Sequence, residues 1–314
     1  MQKTMDVHVR EAVPLKLRLA PRPRWPDAVV RLFVASCGGF VLITTLVMIG
    51  FLARTGLQGM SEVGVWPLLT GTRWKPEADL FGGLPLILGT FVSAIGAALL
   101  GATPAVLAAV WLTEFSPKVI QTLFRRTMEI SAAVPSVVYG WLALMYLVPI
   151  VETVAHGLYG NEAEVGGEGL ASSAVLLAVM IAPTVLLLSV DALSRVPNNL
   201  REASAALGAS PWQTAFRVVM PYAWRGLLVA VFFGFARAAG ETMAVQMVIG
   251  GARKIPANVF QPTTTISAQI VMDMQNARPN TPASDALFSM SLILLIFSVG
   301  VVLATRTLSR TKPS

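Results

Sequence analysis

Charge is what this sequence is shortest of. Only 13% of its 314 residues are Asp, Glu, Lys or Arg, about half the share in an average soluble domain, and long stretches carry none. Cysteine is limited to Cys37 and histidine to His8 and His156, so neither a disulfide framework nor a Cys/His metal site has its ligands. No G-x-x-x-x-G-K-[ST] stretch occurs, which excludes a P-loop for nucleotide phosphates. The chain reads as one with no catalytic residues and no bound cofactor or metal of its own.

What it has is apolar length. Hydrophobic residues make up 54% of the chain, and they gather in six runs: Ala28–Ala53, Leu84–Leu112, Met128–Ile150, Leu170–Val190, Gly226–Gly250 and Ala286–Thr305. Each reaches the roughly 20 residues that a helix needs to cross a bilayer, so an all-α, polytopic bundle of six spans is expected. The second run is long and contains Pro104, which predicts a long or kinked helix. The first run exceeds the apolar core of a cleavable signal peptide and suits a retained anchor. The 13 methionines fall mostly in or beside the runs and read as packing residues.

The net charge of +7 has a topological explanation. With the N-terminus inside and six alternating spans, 17 lysines and arginines fall on the inner side and 6 on the outer, leaving Arg237 within a span. That asymmetry is the positive-inside pattern, so it predicts both termini in the cytoplasm and a lipid, not a nucleic-acid, environment. Residues 1–27 read as a basic, proline-containing tail and 28–310 as the membrane domain. The outer loop 151–169 has no cation but carries Glu152, Glu162, Glu164 and Glu168. Trp66 and Trp74, in the loop 54–83, suit the headgroup zone. A short surface helix is expected over Thr264–Met274.

The inner loop 196–221 has the grammar of two short helices at an angle. Asn198 can cap a first helix that runs through Leu207 and stops at Gly208. Ser210 caps a second, with Pro211 at its first position and Gln213 completing a capping box. Trp212, Ala215, Phe216 and Val219 form an apolar stripe, and Pro221 ends the helix. Ala203, Ser204, Ala205 and Ala206 offer small side chains for insertion into another protein. Glu202-Ala203-Ser204, Gly208, Val218, Met220 and Pro221 match at full spacing the E-A-A-x3-G-x9-I-x-L-P loop, so the chain resembles ABC importer permeases. The resemblance implies that this loop docks on an ATPase subunit.

In the fifth run Arg237 and Glu241 stand four residues apart, a spacing that puts both on one helix face. A charge deep in a span costs several kcal/mol (about 2.5–3.5 on the lenient scale), so it is normally paired or functional. The two could form a structural ion bridge. Alternatively Arg237 could bind a travelling oxyanion through its forked donors, with Glu241 neutralising it when empty.

The string Arg237-Ala238-Ala239-Gly240-Glu241-Thr242-Met243-Ala244-Val245 resembles the PstC family of phosphate ABC importer permeases. So do Phe81–Thr90, Pro135–Gly140 and Met247–Gly250, and the likeness covers about 30–310. It implies a type I importer permease (MetI-like) architecture with Arg237, Glu241 and Thr242 on the substrate route and Pro135, Ser136 and Tyr139 as pathway neighbours. It further implies a PstA-like second permease, a PstB-like ATPase dimer carrying ATP and Mg, and a PstS-like phosphate-binding protein. The place is the bacterial inner membrane. Other readings are a permease for sulfate or molybdate, an autonomous secondary transporter, or a sensor subunit.

Overall fold

The computed structural model describes residues 27–160, 165–278 and 281–310; the expected tail up to Pro26 and the acids Glu162 and Glu164 lie outside them. Among the described residues, 27–50 and those from Phe51 onward fall into two compact units. The first is the leading part of α1 (Asp27–Val63). Its side chains are exposed almost throughout, Leu32 by 72% and Phe40 by 71%. An apolar helix bare on every side has hydrocarbon as its natural surroundings.

In the second unit the chain continues through α2 (Val65–Thr70) and an antiparallel hairpin of β1 (Trp74–Lys75) and β2 (Leu80–Phe81). Next come α3 (Leu84–Ala97), α4 (Thr103–Glu114), α5 (Lys118–Ala133), α6 (Ser136–Leu142), α7 (Val148–Tyr159) and α8 (Leu170–Ser194). The rest are α9 (Asn198–Ala206), α10 (Pro211–Thr214), α11 (Met220–Ala239), α12 (Met243–Gln246), α13 (Ile266–Met274) and α14 (Pro282–Arg310). Among the described residues 6 helical stretches are long and apolar enough to span a membrane: 29–63, 84–114, 136–159, 170–194, 211–239 and 282–307.

The third and fifth spans are displaced from the expected runs. The third span starts at Ser136 rather than Met128, because Pro135 forces the preceding Val134 into extended backbone (ψ 131°) and ends α5. The fifth span runs back to Pro211 and stops at Ala239. Pro221 therefore lies inside a continuous helix instead of ending one.

Prolines inside three spans share one accommodation. Wide π-turns cover Ala98–Ala102, Ala143–Leu147 and Ala215–Val219. Each ends two residues before a proline: Pro104, Pro149 or Pro221. A proline has no N–H to donate, and its ring collides with the carbonyl four residues back. Widening the preceding turn opens the ladder and gives the ring room.

The core forms around α8, which packs against α3, α4 and α11. Leu177, Ile181, Val185 and Leu186 of α8 meet Ala94, Ala97, Ala102, Ala105, Ala230 and Ala238. Small partners let the backbones approach, as membrane helix packing requires. At Gly101 a Cβ would lie 2.5 Å from the Ala178 carbonyl oxygen.

Away from this core Trp74 is 1% exposed, contrary to the headgroup placement expected for it. Its indole N–H donates to Asp273 Oδ2 at 2.8 Å, and Arg253 pairs with Asp273 Oδ1 at 2.6 Å. A buried indole needs such a partner. Asp273 belongs to α13, which is packed against α3 and α14 and is no surface helix; Ile266, Ala268 and Gln269 are buried in it.

Candidate functional site

The hairpin of α9 and α10 takes the expected shape with two changes. Gly208 turns in the left-handed region at φ 81°, and Ser210 with Gln213 forms the full capping box. Pro197, not Asn198, occupies the cap position of α9, and the Asn198 Oδ1 accepts from Arg201 instead. Ser204 faces inward and bonds Thr214 across the hairpin at 2.9 Å. The outer surface is left to Glu202, Ala203, Ala205, Ala206 and Leu207, the last 90% exposed. The tip of the hairpin thus presents one exposed leucine among small side chains.

Arg201 was not singled out by the sequence, yet it ties this hairpin to the bundle. It makes a two-pronged ion pair with Glu114 at 2.8 and 3.1 Å. The same guanidinium donates to the carbonyls of Val196 and Leu193 at the end of α8. Glu114 lies 87 residues away in sequence, so no local pattern announces the contact.

Arg237 and Glu241 do not form the expected pair. Helix α11 ends at Ala239, with Gly240 as its cap, so the four-residue spacing no longer defines a common face. Arg237 sits in the last turn, where the free carbonyl ends of a helix favour a cation. Its Nη1 donates to Thr184 Oγ1 of α8 at 2.9 Å. Glu241 stands in the break before α12, and its Oε1 accepts the Ala244 N–H at 3.3 Å. Each charge is thus matched to the helix end it adjoins, and both side chains are half-buried. Ser267 of α13 donates to the Glu241 carbonyl at 2.8 Å, which fixes the break against a neighbouring element. Thr184 is a second residue that the sequence did not disclose.

Two strings far apart in sequence do come together. Gly140 of α6 presses on α12, where a Cβ would lie 2.9 Å from Ala244 Cα. The Pro135–Gly140 string, the start of α6, therefore abuts the segment that follows Glu241. Within it Pro135 caps α6 and Ser136 opens it. Tyr139 is tied back to α5, donating to the Ser131 carbonyl at 2.9 Å. A groove beside the break is lined by Gly240, Thr242, Ser267, Ile270, Ser291 and Ser298, so of the three expected substrate residues only Thr242 lines it.

Residues 101–310 match the family described as binding-protein-dependent transport system inner membrane component. The chain is 35% identical over 283 residues to a probable ABC transporter permease, YqgH of Bacillus subtilis, with 89% of each chain covered. It is 32% identical over 302 residues to the phosphate transport system permease PstC of Mesorhizobium japonicum, covering 89% of this chain and 92% of that one. A solved bacterial alginate ABC transporter shares the fold at a TM-score of 0.53 and 14% identity, over 92% of this chain and 98% of that one. The helical bundle and these likenesses converge: the chain belongs to the binding-protein-dependent transport system inner membrane component family and is a multi-pass permease subunit of an ABC importer.

Proposed function

We propose that this chain is the PstC-like permease of an ATP-driven phosphate importer. Beside it stands a PstA-like permease, beneath the two a PstB-like ATPase dimer holding ATP and Mg, and outside a PstS-like phosphate-binding protein. It sits in the bacterial inner membrane with both termini cytoplasmic, in line with the excess of cations on the side of the hairpin. No cofactor belongs to the chain itself. Glu202, Ala203, Ser204, Gly208 and Pro221 belong to the segment that couples to the ATPase, with Ser204 and Pro221 shaping it from within. Arg237, Glu241 and Thr242 meet the substrate, with Pro135, Ser136 and Tyr139 as neighbours of the route.

The observation that carries this reading is one continuous helix, 211–239, with the hairpin at its start and Arg237 in its last turn. A push on the hairpin is delivered along that rod to the guanidinium. ATP-driven closure of the ATPases would move the hairpin and rock the spans from inward- to outward-facing; hydrolysis would reset them. The relative named for phosphate transport supports the choice of oxyanion, and an arginine fork suits a tetrahedral oxyanion. The Glu241 Oε1 is engaged with Ala244, which leaves Oε2 to accept a P–OH proton that a fully deprotonated sulfate lacks. The test is phosphate uptake by the reconstituted assembly with Arg237→Ala. Uptake is expected to fall to background with all subunits still associated; normal ATP-fuelled uptake would refute the proposal.

A further inference from the structure

We infer that Glu114 and Arg201 form a clamp that, beside the continuous helix 211–239, carries movement of the docking hairpin to α4 and α8, acting as positioning residues for coupling. The inference rests on the reading of the hairpin as an ATPase dock. All five N–H donors of the Arg201 guanidinium are engaged: Nε and Nη2 with Glu114, Nη2 also with Leu193, and Nη1 with Val196 and Asn198. Glu114 closes α4, Leu193 lies in the last turn of α8 and Val196 just beyond its end. One side chain thereby fastens α9 to the ends of two spans that are themselves packed together.

An exposed ion pair would carry little mechanical meaning. This one is shielded, with side-chain exposures of 23% for Arg201 and 9% for Glu114, and its two-pronged, charge-assisted geometry is the stiff kind. Besides the clamp, α9 is held by the Ser204–Thr214 hydrogen bond and by Leu200, which packs against the cluster of Ala109, Val110, Leu193 and Val196; the clamp adds the directional, charged tie to these contacts. The clamp also leads to the substrate side. Thr184, which holds Arg237, lies nine residues before Leu193 on α8, about 13.5 Å along the helix at 1.5 Å per residue. Meanwhile Glu202, Ala203 and Leu207 point outward and take no part in the clamp, so docking and transmission use different faces of one short helix.

The pair can be tested in the full reconstituted assembly by measuring ATP hydrolysed and phosphate taken up in the same vesicles. Glu114→Gln, Arg201→Gln and the double variant are compared with the unaltered chain, and Glu202→Lys serves as the docking control. Each clamp single is expected to raise the ATP spent per phosphate about tenfold, the scale of one lost charge-assisted hydrogen bond. The ATPase should still co-purify in full, and the double should be no worse than the worse single, because the two residues act as a unit. Arg201→Lys, which keeps the charge but loses the fork, should sit between. Parallel loss of hydrolysis and uptake, an unchanged ratio, or loss of the ATPase from the clamp variants would each overturn the clamp. Undiminished ATPase attachment in Glu202→Lys would instead strike at the docking reading beneath it.

Discussion

Arg237 and Thr184 meet across 53 positions of sequence, the guanidinium Nη1 donating to the threonine hydroxyl at 2.9 Å. That bond aims a long, flexible cation from the end of one helix across to the middle of another. A hydrogen bond to a charged group contributes about 1.5–3 kcal/mol. Thr184→Val is therefore expected to raise the KM for phosphate uptake by about tenfold or more, with the assembly intact. Thr184→Ser, which keeps the hydroxyl, should restore most of the loss. Uptake kinetics on the three proteins decide it.

Arg237→Lys separates charge from shape. The ammonium keeps the favourable place at the end of α11 but offers no planar fork. Uptake should survive at a reduced level, about tenfold to a hundredfold below the unaltered protein and above Arg237→Ala. Equal rates for lysine and arginine would show that charge alone is read.

Glu241→Gln tests selectivity apart from capacity. An amide oxygen can still accept the Ala244 N–H, so the break should keep its form. What disappears is the second carboxylate oxygen as a strong acceptor. The ratio of phosphate to sulfate taken up in competition is expected to fall, and an unaltered ratio would remove Glu241 from the selectivity step.

Ser210→Ala removes the cap of α10, in which the serine Oγ accepts from the Gln213 N–H at 3.3 Å and Gln213 returns a bond at 2.9 Å. Losing an N-cap costs about 1 kcal/mol. The hairpin should fray first, so ATPase binding is expected to weaken about fivefold while the spans stay folded. Binding measured by titration, with helicity recorded alongside, would show whether the loss is local.

The sequence exposed the features that depend on local chemistry. Six apolar runs, the left-handed Gly208 and the reciprocal bonds of Ser210 and Gln213 all stood in short windows. It misled where a local rule met a distant constraint. Arg237 and Glu241 have helical spacing, but the helix stops at Ala239 and Ser267, from α13, holds the break. Trp74 looked like an interfacial anchor because Asp273, its hydrogen-bond partner, is 199 residues away. Glu114, Thr184 and Thr214 were hidden for the same reason: nothing within a turn or two of any of them names the residue it touches.

One surplus residue governs where the hairpin faces. The wide turn at Ala215–Val219 lies between the hairpin and Arg237, and tightening it to an ordinary turn would swing the hairpin by about 100° around the rod. The azimuth of the dock is therefore written by Pro221, through the turn that precedes it. Deleting one residue of 215–219 together with Pro221→Ala should leave a well-formed helix whose dock faces the wrong quarter, giving a membrane protein that folds, inserts and does not transport.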